Sequence, residues 1–172
     1  MKIVLIGYMA SGKSSVGKKL SKILKLPFYD LDDYIAEKEN LSIPNIFKIK
    51  GEVYFRKIET TFLGDLLHST DDFILAVGGG TPCYGSNMKL INKYSKSIYL
   101  KSSFKNTYNK LSKPKVKNKR PLIATIANEN LEEFIAKHLF ERSPFYEQAQ
   151  HSISIDGKTV REIANEINLS IL

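Results

Sequence analysis

The feature that most constrains the fold is a glycine-rich loop placed directly after a short apolar run. Residues 3–6 are apolar and rich in β-branched side chains, which is typical of a fully buried parallel strand. Gly7, Gly12, Lys13 and Ser14 then match the pattern G-x-x-x-x-G-K-[ST]. The pattern predicts a strand, a phosphate loop and a helix that begins near Lys13. A chance match is the alternative, and the complete strand–loop–helix context argues against it.

Each residue type in this loop suits the binding of a nucleotide. The glycines let successive backbone N–H groups point inward at phosphate oxygens, and the following helix N-terminus adds positive potential. Lys13 is placed to reach the β- and γ-phosphates, and the Ser14 hydroxyl can ligate Mg²⁺. The loop therefore predicts a nucleotide-binding protein that uses Mg²⁺.

Composition excludes several other classes of protein. No apolar run approaches the roughly 20 residues of a membrane helix, and we expect a soluble, cytoplasmic domain. Cys83 is the only cysteine, which excludes an intrachain disulfide and a cysteine metal cluster. The histidines lack metal-ligand or triad spacing and are interpreted as surface or capping residues: His68, His138 and His151.

The net charge of +8 is concentrated in one stretch. Between Lys110 and Arg120 there are six basic residues and no acidic residue. Pro114 lies within this stretch, Pro121 follows it directly, and no apolar periodicity is present, so we predict a mobile loop. It is either a solvated lysine-rich surface or a lid that covers nucleotide phosphates.

Helical and strand patterns alternate along the rest of the chain. Besides the first strand, we predict strands at residues 28–29, 73–77, 97–100 and 152–155. Ser42 is expected to cap a helix that Gly51 breaks, and a second long helix then runs to about His68. Five strands that alternate with helices predict an α/β fold, a parallel, doubly wound sheet in three layers.

Acidic and basic side chains follow two of these strands. Asp30 and Asp32 are two apart, so on a strand both would face the cleft beyond the carboxyl ends of the sheet. The alternative for Asp32 is helix capping, for which Asp33 is favoured. Arg56 can pair with Glu59 on one helix face, either as a surface ion pair of little value or as part of a carboxylate site.

Three consecutive glycines, Gly78 to Gly80, follow the buried strand at residues 73–77. They imply a close approach of the backbone to another group, with a tight turn as the alternative.

Taken together, these motifs resemble the shikimate kinase family over nearly the whole chain. The phosphate loop alone indicates only nucleotide binding, and six motifs in this order are much more specific. They are Gly7–Ser14, Asp30-x-Asp32, Gly51-Glu52-x-x-Phe55-Arg56-x-x-Glu59, Gly78-Gly79-Gly80, Arg120-Pro121-Leu122 and Arg142-x-Pro144-x-Tyr146. The resemblance implies a nucleoside-monophosphate-kinase-like fold with strand order 2-3-1-4-5. It also implies one domain over residues 1–172, a substrate-binding region at about 31–60 and a mobile lid at about 111–123.

The resemblance further implies transfer of the γ-phosphoryl group of ATP to the 3-hydroxyl of shikimate, in the biosynthesis of chorismate and aromatic amino acids. A monomer that needs Mg²⁺ is implied, with Ser14 and, through water, Asp30 at the metal. The implied ATP-binding residues are Ala10, Ser11, Gly12, Lys13, Ser14, Ser15 and Arg120. The implied shikimate-binding residues are Asp32, Arg56, Gly79, Gly80 and Arg142. Lys13, Asp32 and Arg120 are the implied catalytic residues, with Asp32 the candidate proton acceptor.

The sequence departs from the family pattern at three positions. Ala10 stands where glycine is usual and Ser15 where threonine is frequent, and both small side chains should be tolerated. Lys113 stands where an adenine-stacking arginine is common. Lysine lacks the planar face for stacking, so no adenine contact is assigned.

Three other functions compete with this interpretation. Gluconate kinase shares the loop and fold, but it is not expected to direct Arg56 and Arg142 at one carboxylate. A GTPase would need Asn-Lys-x-Asp, and the only Asn-Lys here continues as Tyr94-Ser95. A nucleic-acid-binding protein fits the sequence pI of 9.4, but the basic stretch has no aromatic residue on which bases could stack.

Overall fold

A computed structural model describes residues 1–171, in which strands and helices alternate along the chain. The strands are β1 (Lys2–Ile6), β2 (Phe28–Asp30), β3 (Phe73–Ala76), β4 (Lys96–Lys101) and β5 (His151–Ser154). The helices are α1 (Lys13–Leu24), α2 (Leu31–Glu39), α3 (Ile43–His68), α4 (Asn87–Tyr94), α5 (Phe104–Leu111), α6 (Pro114–Lys117), α7 (Pro121–Ala124), α8 (Asn128–Tyr146) and α9 (Val160–Ile171).

All the strand pairings are parallel, and the spatial order is β2-β3-β1-β4-β5. This order confirms the predicted doubly wound sheet. Within residues 1–171, no helix combines the length and the apolarity that a membrane crossing would require.

Apolar side chains pack on both faces of the sheet, which explains the continuous apolar run of β1. Val4 and Ile6 belong to the core under α2, α3 and α8, whereas Ile3 and Leu5 belong to the core under α1 and α9. Because helices cover both faces, all four side chains are fully buried.

The predicted signals at the start and kink of α3 are confirmed. The Ser42 hydroxyl caps the helix by accepting a hydrogen bond from the backbone N–H of Asn45, at 3.4 Å. Gly51 has φ 84° and ψ 170°, which is not helical, and the second helical segment continues to His68 as expected.

Two capping predictions are wrong. Asp30, not Asp33, caps α2, with its Oδ1 accepting from the Asp32 N–H at 3.2 Å. Asp32 therefore lies in the first turn of a helix and not on a strand, because α2 begins at Leu31, directly after β2 ends at Asp30. The sequence also predicts a cap at Asn128 or Asn130 for α8, but the cap position is Ala127.

The basic stretch also differs from the prediction of a loop without helix. It contains the single-turn helices α6 and α7, and each begins with a proline at its first position. Proline disrupts a helix at interior positions, but it is favoured at the first helical position. There its missing N–H costs nothing and its φ is already helical. The prolines were therefore helix starts.

Candidate active site

A cleft of about 520 Å³ opens at the carboxyl ends of β1, β2 and β3. The phosphate loop after β1 forms one wall, and the carboxylates that follow β2 form another. The glycines after β3 line its floor, and the basic stretch approaches from the opposite side. Among its lining residues are Ala10, Gly12, Lys13, Ser14, Ser15, Asp30, Asp32, Gly79, Lys113 and Arg120. The structure thus brings together residues that are far apart in sequence.

The phosphate loop presents the Lys13 ammonium to this cleft. Lys13 Nζ donates to the backbone carbonyls of Gly7 at 2.8 Å and Tyr8 at 2.9 Å. Ser11 is buried beneath it, with Oγ 3.4 Å from Nζ. Burial and the nearby Arg120 guanidinium lower the pKa of Lys13 to about 8. The Asp30 and Asp32 carboxylates offset this lowering only in part, and no carboxylate of residues 1–171 forms an ion pair with Lys13. An anionic ligand would therefore stabilise the protonated ammonium.

Ser14 and Asp30 form a pair of oxygen donors at the edge of the loop. The Ser14 hydroxyl donates to Oδ2 of Asp30 at 2.6 Å. No group of three or more His, Cys, Asp or Glu side chains in residues 1–171 could hold a metal ion. Mg²⁺ is commonly bound through only one or two protein oxygens, with phosphates and water completing the shell. The donor set therefore fits Mg²⁺ that arrives with a nucleotide.

Asp32 lies between the phosphate loop and the glycines after β3. Burial raises the pKa of Asp32 to about 6, and the Asp30 and Glu59 carboxylates add to the effect. A carboxyl group with this pKa can accept a proton near neutral pH.

Two guanidinium groups pack against the glycines that follow β3, of which Gly79 lines the cleft and Gly80 does not. A methyl group added at Gly79 would lie 3.0 Å from Nη1 of Arg142, and one added at Gly80 would lie 2.6 Å from Nη2 of Arg56. Arg56 Nη1 donates to Oε2 of the buried Glu59 at 2.8 Å, as the sequence predicted. A side chain at Gly80 would therefore displace the Arg56 guanidinium, and one at Gly79 would crowd that of Arg142, although 86 residues separate the two arginines.

Glu59 is the residue that fixes this arrangement from below. Its side chain is 1% exposed, and its other oxygen accepts from the Thr81 hydroxyl at 2.6 Å. Both carboxylate oxygens are therefore engaged, which holds the carboxylate rigidly beneath Arg56. The predicted Arg56–Glu59 pair is consequently part of the site and not an exposed ion pair.

A second supporting group was missed by the sequence analysis. Tyr8 is buried in the phosphate loop and its hydroxyl is hydrogen-bonded to Nδ1 of His138 at 2.8 Å. Its ring also faces the Arg142 guanidinium, 6.0 Å from the ring centroid. Burial and the Arg142 charge lower the pKa of His138 to about 4, so the ring is neutral at pH 7. The prediction of His138 as a surface or capping residue is wrong.

Spacing along α8 carried a usable signal for these contacts. His138, Arg142 and Tyr146 recur every four residues and so share one helix face. The Tyr146 hydroxyl donates to the carbonyl of Gly79 at 2.6 Å. This spacing therefore indicates that His138, Arg142 and Tyr146 all face the site, and it could have identified their contacts from the sequence.

This fold and cleft define a class, the phosphate-loop kinases with the five-stranded sheet order of nucleoside-monophosphate kinases. The family model described as "Shikimate kinase" matches residues 9–171. A shikimate kinase of Flavobacterium johnsoniae is 48% identical over 167 residues, covering 96% of each chain.

Solved structures agree with the sequence comparisons. A shikimate kinase of Bacteroides thetaiotaomicron superposes with a TM-score of 0.89 at 30% identity, covering 100% of this chain and 99% of the other. A shikimate kinase of Acinetobacter baumannii, solved in complex with shikimate, has a TM-score of 0.86 at 32% identity and covers 99% and 92%. The chain belongs to the shikimate kinase family.

Membership confirms the function that the motifs implied. The chain is a kinase that transfers phosphate from ATP to a hydroxyl of shikimate, in the biosynthesis of aromatic compounds. Family membership favours this function over the alternatives of a gluconate kinase, a GTPase and a nucleic-acid-binding protein.

Proposed function

We propose that this cleft transfers the γ-phosphoryl group of ATP to the 3-hydroxyl of shikimate, with Mg²⁺ as the metal and with the residue roles that follow. The observation that carries the proposal is the placement of two guanidiniums against Gly79 and Gly80. Gly79 lines the same cleft as Lys13 and Asp32, so both guanidiniums lie beside that cleft. One end suits a carboxylate and the other a triphosphate, so a small acid would be held with its hydroxyls toward the phosphoryl donor.

The triphosphate is held by the backbone N–H groups of Ala10 to Ser15 and by the Lys13 ammonium. Arg120 approaches from the lid, the segment at residues 111–123, and completes the cationic surround. Phosphoryl transfer requires mainly positioning and the neutralisation of charge on the transferred group. Lys13 and Arg120 supply fixed positive charge on opposite sides of that group.

Ser14 and Asp30 would hold Mg²⁺, with Asp30 acting through water. When bound, the ion would neutralise charge on the β- and γ-phosphates. The protein's part is to hold both oxygen donors beside the loop, which the 2.6 Å contact between them supports.

The acceptor is held at both ends. Arg56 and Arg142 bind the shikimate carboxylate, and the backbone N–H groups of Gly79 and Gly80 contact the ring substituents. Asp32 accepts hydrogen bonds from the hydroxyls and takes the proton of the 3-hydroxyl as the new O–P bond forms. The raised pKa of Asp32 supports this role, because the protonated product form is accessible near neutral pH.

The proposed substrate-binding region is residues 31–60 of a single domain that works as a monomer in the cytoplasm. One chain carries every residue named above, which supports the monomer.

ADP release with shikimate, and with gluconate as the rival acceptor, tests the assignment. We expect turnover with shikimate and none with gluconate. Arg56→Ala and Arg142→Ala should each weaken shikimate binding about 10- to 100-fold while leaving ATP binding nearly unchanged, because each removes a charge-assisted contact. Lys57→Ala, which removes the next cation along the same helix but is exposed, is the control. An equal loss of ATP affinity in titration calorimetry would contradict the carboxylate assignment.

A further inference from the structure

Lys117 differs from the other lysines of the lid. Lys113, Lys115 and Lys119 are exposed, whereas the Lys117 side chain is only 9% exposed. Lysine normally keeps its ammonium in water and buries only its stem, because an ammonium removed from water costs several kcal/mol unless it is well paired. The burial of this one lysine therefore requires an explanation.

The Lys117 ammonium is held by two oxygens that lie further along the chain. Nζ donates to the backbone carbonyl of Ile126 and to Oδ1 of Asn128 at 2.8 Å. Among residues 1–171, no carboxylate forms an ion pair with it. The contacts join the end of α6 to the start of α8, so they close the intervening segment into a loop.

Arg120 lies inside that closed loop. Its backbone N–H donates to the carbonyl of Lys117 at 3.0 Å, and its own carbonyl accepts from the Ile123 N–H at 3.0 Å. The backbone on both sides of Arg120 is thus fixed, with the turn after α6 on one side and α7 on the other.

The Arg120 side chain lines the cleft close enough to Lys13 to lower the pKa of that ammonium. Two cations that face the same space repel each other, and in water a mobile arginine would turn away. A rigid connection that fixes the backbone of Arg120 removes part of this freedom before any phosphate arrives. Such preorganisation is what a transition-state charge needs.

We propose that Lys117 is a positioning residue for phosphoryl transfer, which closes the loop of residues 117–128 and so holds Arg120 over the phosphate loop. The proposal rests on the proposed role of Arg120 in binding the transferred phosphate. Lys117 itself does not touch either substrate.

The test is a double-mutant cycle between Lys117→Met and Arg120→Ala. Methionine keeps the length and the apolar stem but removes the donors. We expect Lys117→Met to lower kcat about tenfold with little change in the KM for shikimate, because a small displacement of a charge-stabilising group is costly. In the Arg120→Ala background the same substitution should change kcat less than twofold. Lys115→Met, on the exposed side of α6, is the matched control and should leave kcat unchanged in both backgrounds.

A merely structural role would give a different result. An unchanged kcat for Lys117→Met, or an equal loss of kcat with and without Arg120, would overturn the inference. Asn128→Ala removes one acceptor at an exposed position and should show the same dependence on Arg120 at smaller amplitude. If Lys117→Met does not fold, the result for Asn128→Ala tests the positioning role in its place. If Arg120→Ala alone leaves kcat unchanged, the proposed role of Arg120 fails, and the positioning role fails with it.

Discussion

At the scale of single residues, Asp32 shows that the site works against the stability of the fold. The carboxyl group is largely buried and lies near the Asp30 and Glu59 carboxylates, so its ionised form is unfavourable. No lysine or arginine forms an ion pair with it in residues 1–171. A group of this kind is retained for chemistry, because the nearby Lys13 charge only partly offsets the cost of burying the carboxylate.

Asp32→Asn should make the protein more stable at pH 8 and less active. Folding raises the pKa of Asp32 from 3.8 to about 6, so the folded protein binds the proton more tightly, and stability is lost as pH rises through that window. Asparagine does not ionise and so avoids this loss. We expect the free energy of unfolding to increase by roughly 1–2 kcal/mol at pH 8, and the increase to disappear near pH 4. Urea unfolding at both pH values measures it, with the exposed Asp33→Asn as control. A less stable Asp32→Asn at pH 8 would show that the carboxylate contributes favourable contacts to the fold.

Ala10→Gly should also stabilise the protein. Ala10 has φ 61°, in the left-handed region that costs a residue with a Cβ about 1–2 kcal/mol. Glycine removes this cost, but its greater freedom in the unfolded chain lowers stability by about 0.4–1 kcal/mol. We therefore expect a net increase of roughly 0.5–1 kcal/mol in the free energy of unfolding. Gly12→Ala, at φ 87°, should lose stability in the same urea experiment. A loss for both variants would contradict strain at Ala10.

At the scale of elements, α8 links the two ends of the cleft. It carries Arg142, and four residues earlier it carries His138, which is bonded to Tyr8 of the phosphate loop. The backbone carbonyl of Tyr8 in turn accepts from Lys13. The helix and the loop that hold opposite ends of the proposed substrates therefore contact each other directly.

Acid should weaken this contact through His138. Folding lowers the pKa of His138 from 6.5 to about 4, so its contribution to stability is complete above about pH 6.5 and is lost as pH falls toward 4. We expect His138→Gln to unfold with a flatter dependence on pH between 7 and 5. Binding of one full proton would change the free energy of unfolding by about 1.4 kcal/mol per pH unit. Because the ring is half exposed, we expect the variant and the wild type to differ by only a fraction of this value.

His68→Gln, on the exposed end of α3, is the control for that measurement. If the two variants show the same pH dependence as the wild type, then protonation of His138 does not govern the contact between α8 and the phosphate loop.

The starts and ends of helices could be predicted where neighbouring residues determine them. They could not be predicted where they depend on partners that are distant in the sequence. The cap at Ser42 and the break at Gly51 follow from a few neighbouring residues. The start of α2 was misplaced because the last residue of β2 is set by its pairing with β3, which the sequence does not show. The sheet order itself was inferred from family resemblance and not from the strand patterns.

The same division applies to the candidate site. Lys13, Ser14 and the glycines are specified by one short motif, so they could be assigned from sequence. The bond between Tyr8 and His138 spans 130 residues and depends on how α8 crosses the sheet. The burial of Lys117 was likewise hidden, because its acceptors are a backbone carbonyl and an amide that carry no charge pattern.

At the scale of the whole molecule, the positive charge and the cleft coincide. Six basic residues lie between Lys110 and Arg120, and three of them, Lys110, Lys113 and Arg120, line the cleft. Three of the positive charges behind the net +8 therefore face the cleft in which a polyanionic substrate binds.

Limited proteolysis tests whether this surface closes over the substrates. Trypsin does not cleave before proline, so Lys113 and Arg120 are protected by sequence, and burial protects Lys117. We expect the free protein to be cut first after the exposed Lys115 and Lys119. An ATP analogue with shikimate should slow these cuts several-fold, and Arg120→Ala should reduce that protection.

An oligonucleotide is the control for charge alone. It should protect weakly and only at low salt, because screening by ions weakens contacts that rest on charge. Protection by the oligonucleotide at physiological salt, with none from the ATP analogue and shikimate, would contradict closure of the lid over the cleft.

The tight packing at the glycines has a consequence for drug resistance. A methyl group at Gly80 would lie 2.6 Å from the Arg56 guanidinium, and one at Gly79 would lie 3.0 Å from that of Arg142. Every mutation at Gly80 therefore displaces the guanidinium beside it. With the proposed roles of Arg56 and Arg142, a carboxylate inhibitor seated between these two cations would meet a surface where escape mutations also weaken binding of the natural acceptor. A pathogen that carries this enzyme would have few viable routes to resistance at these positions.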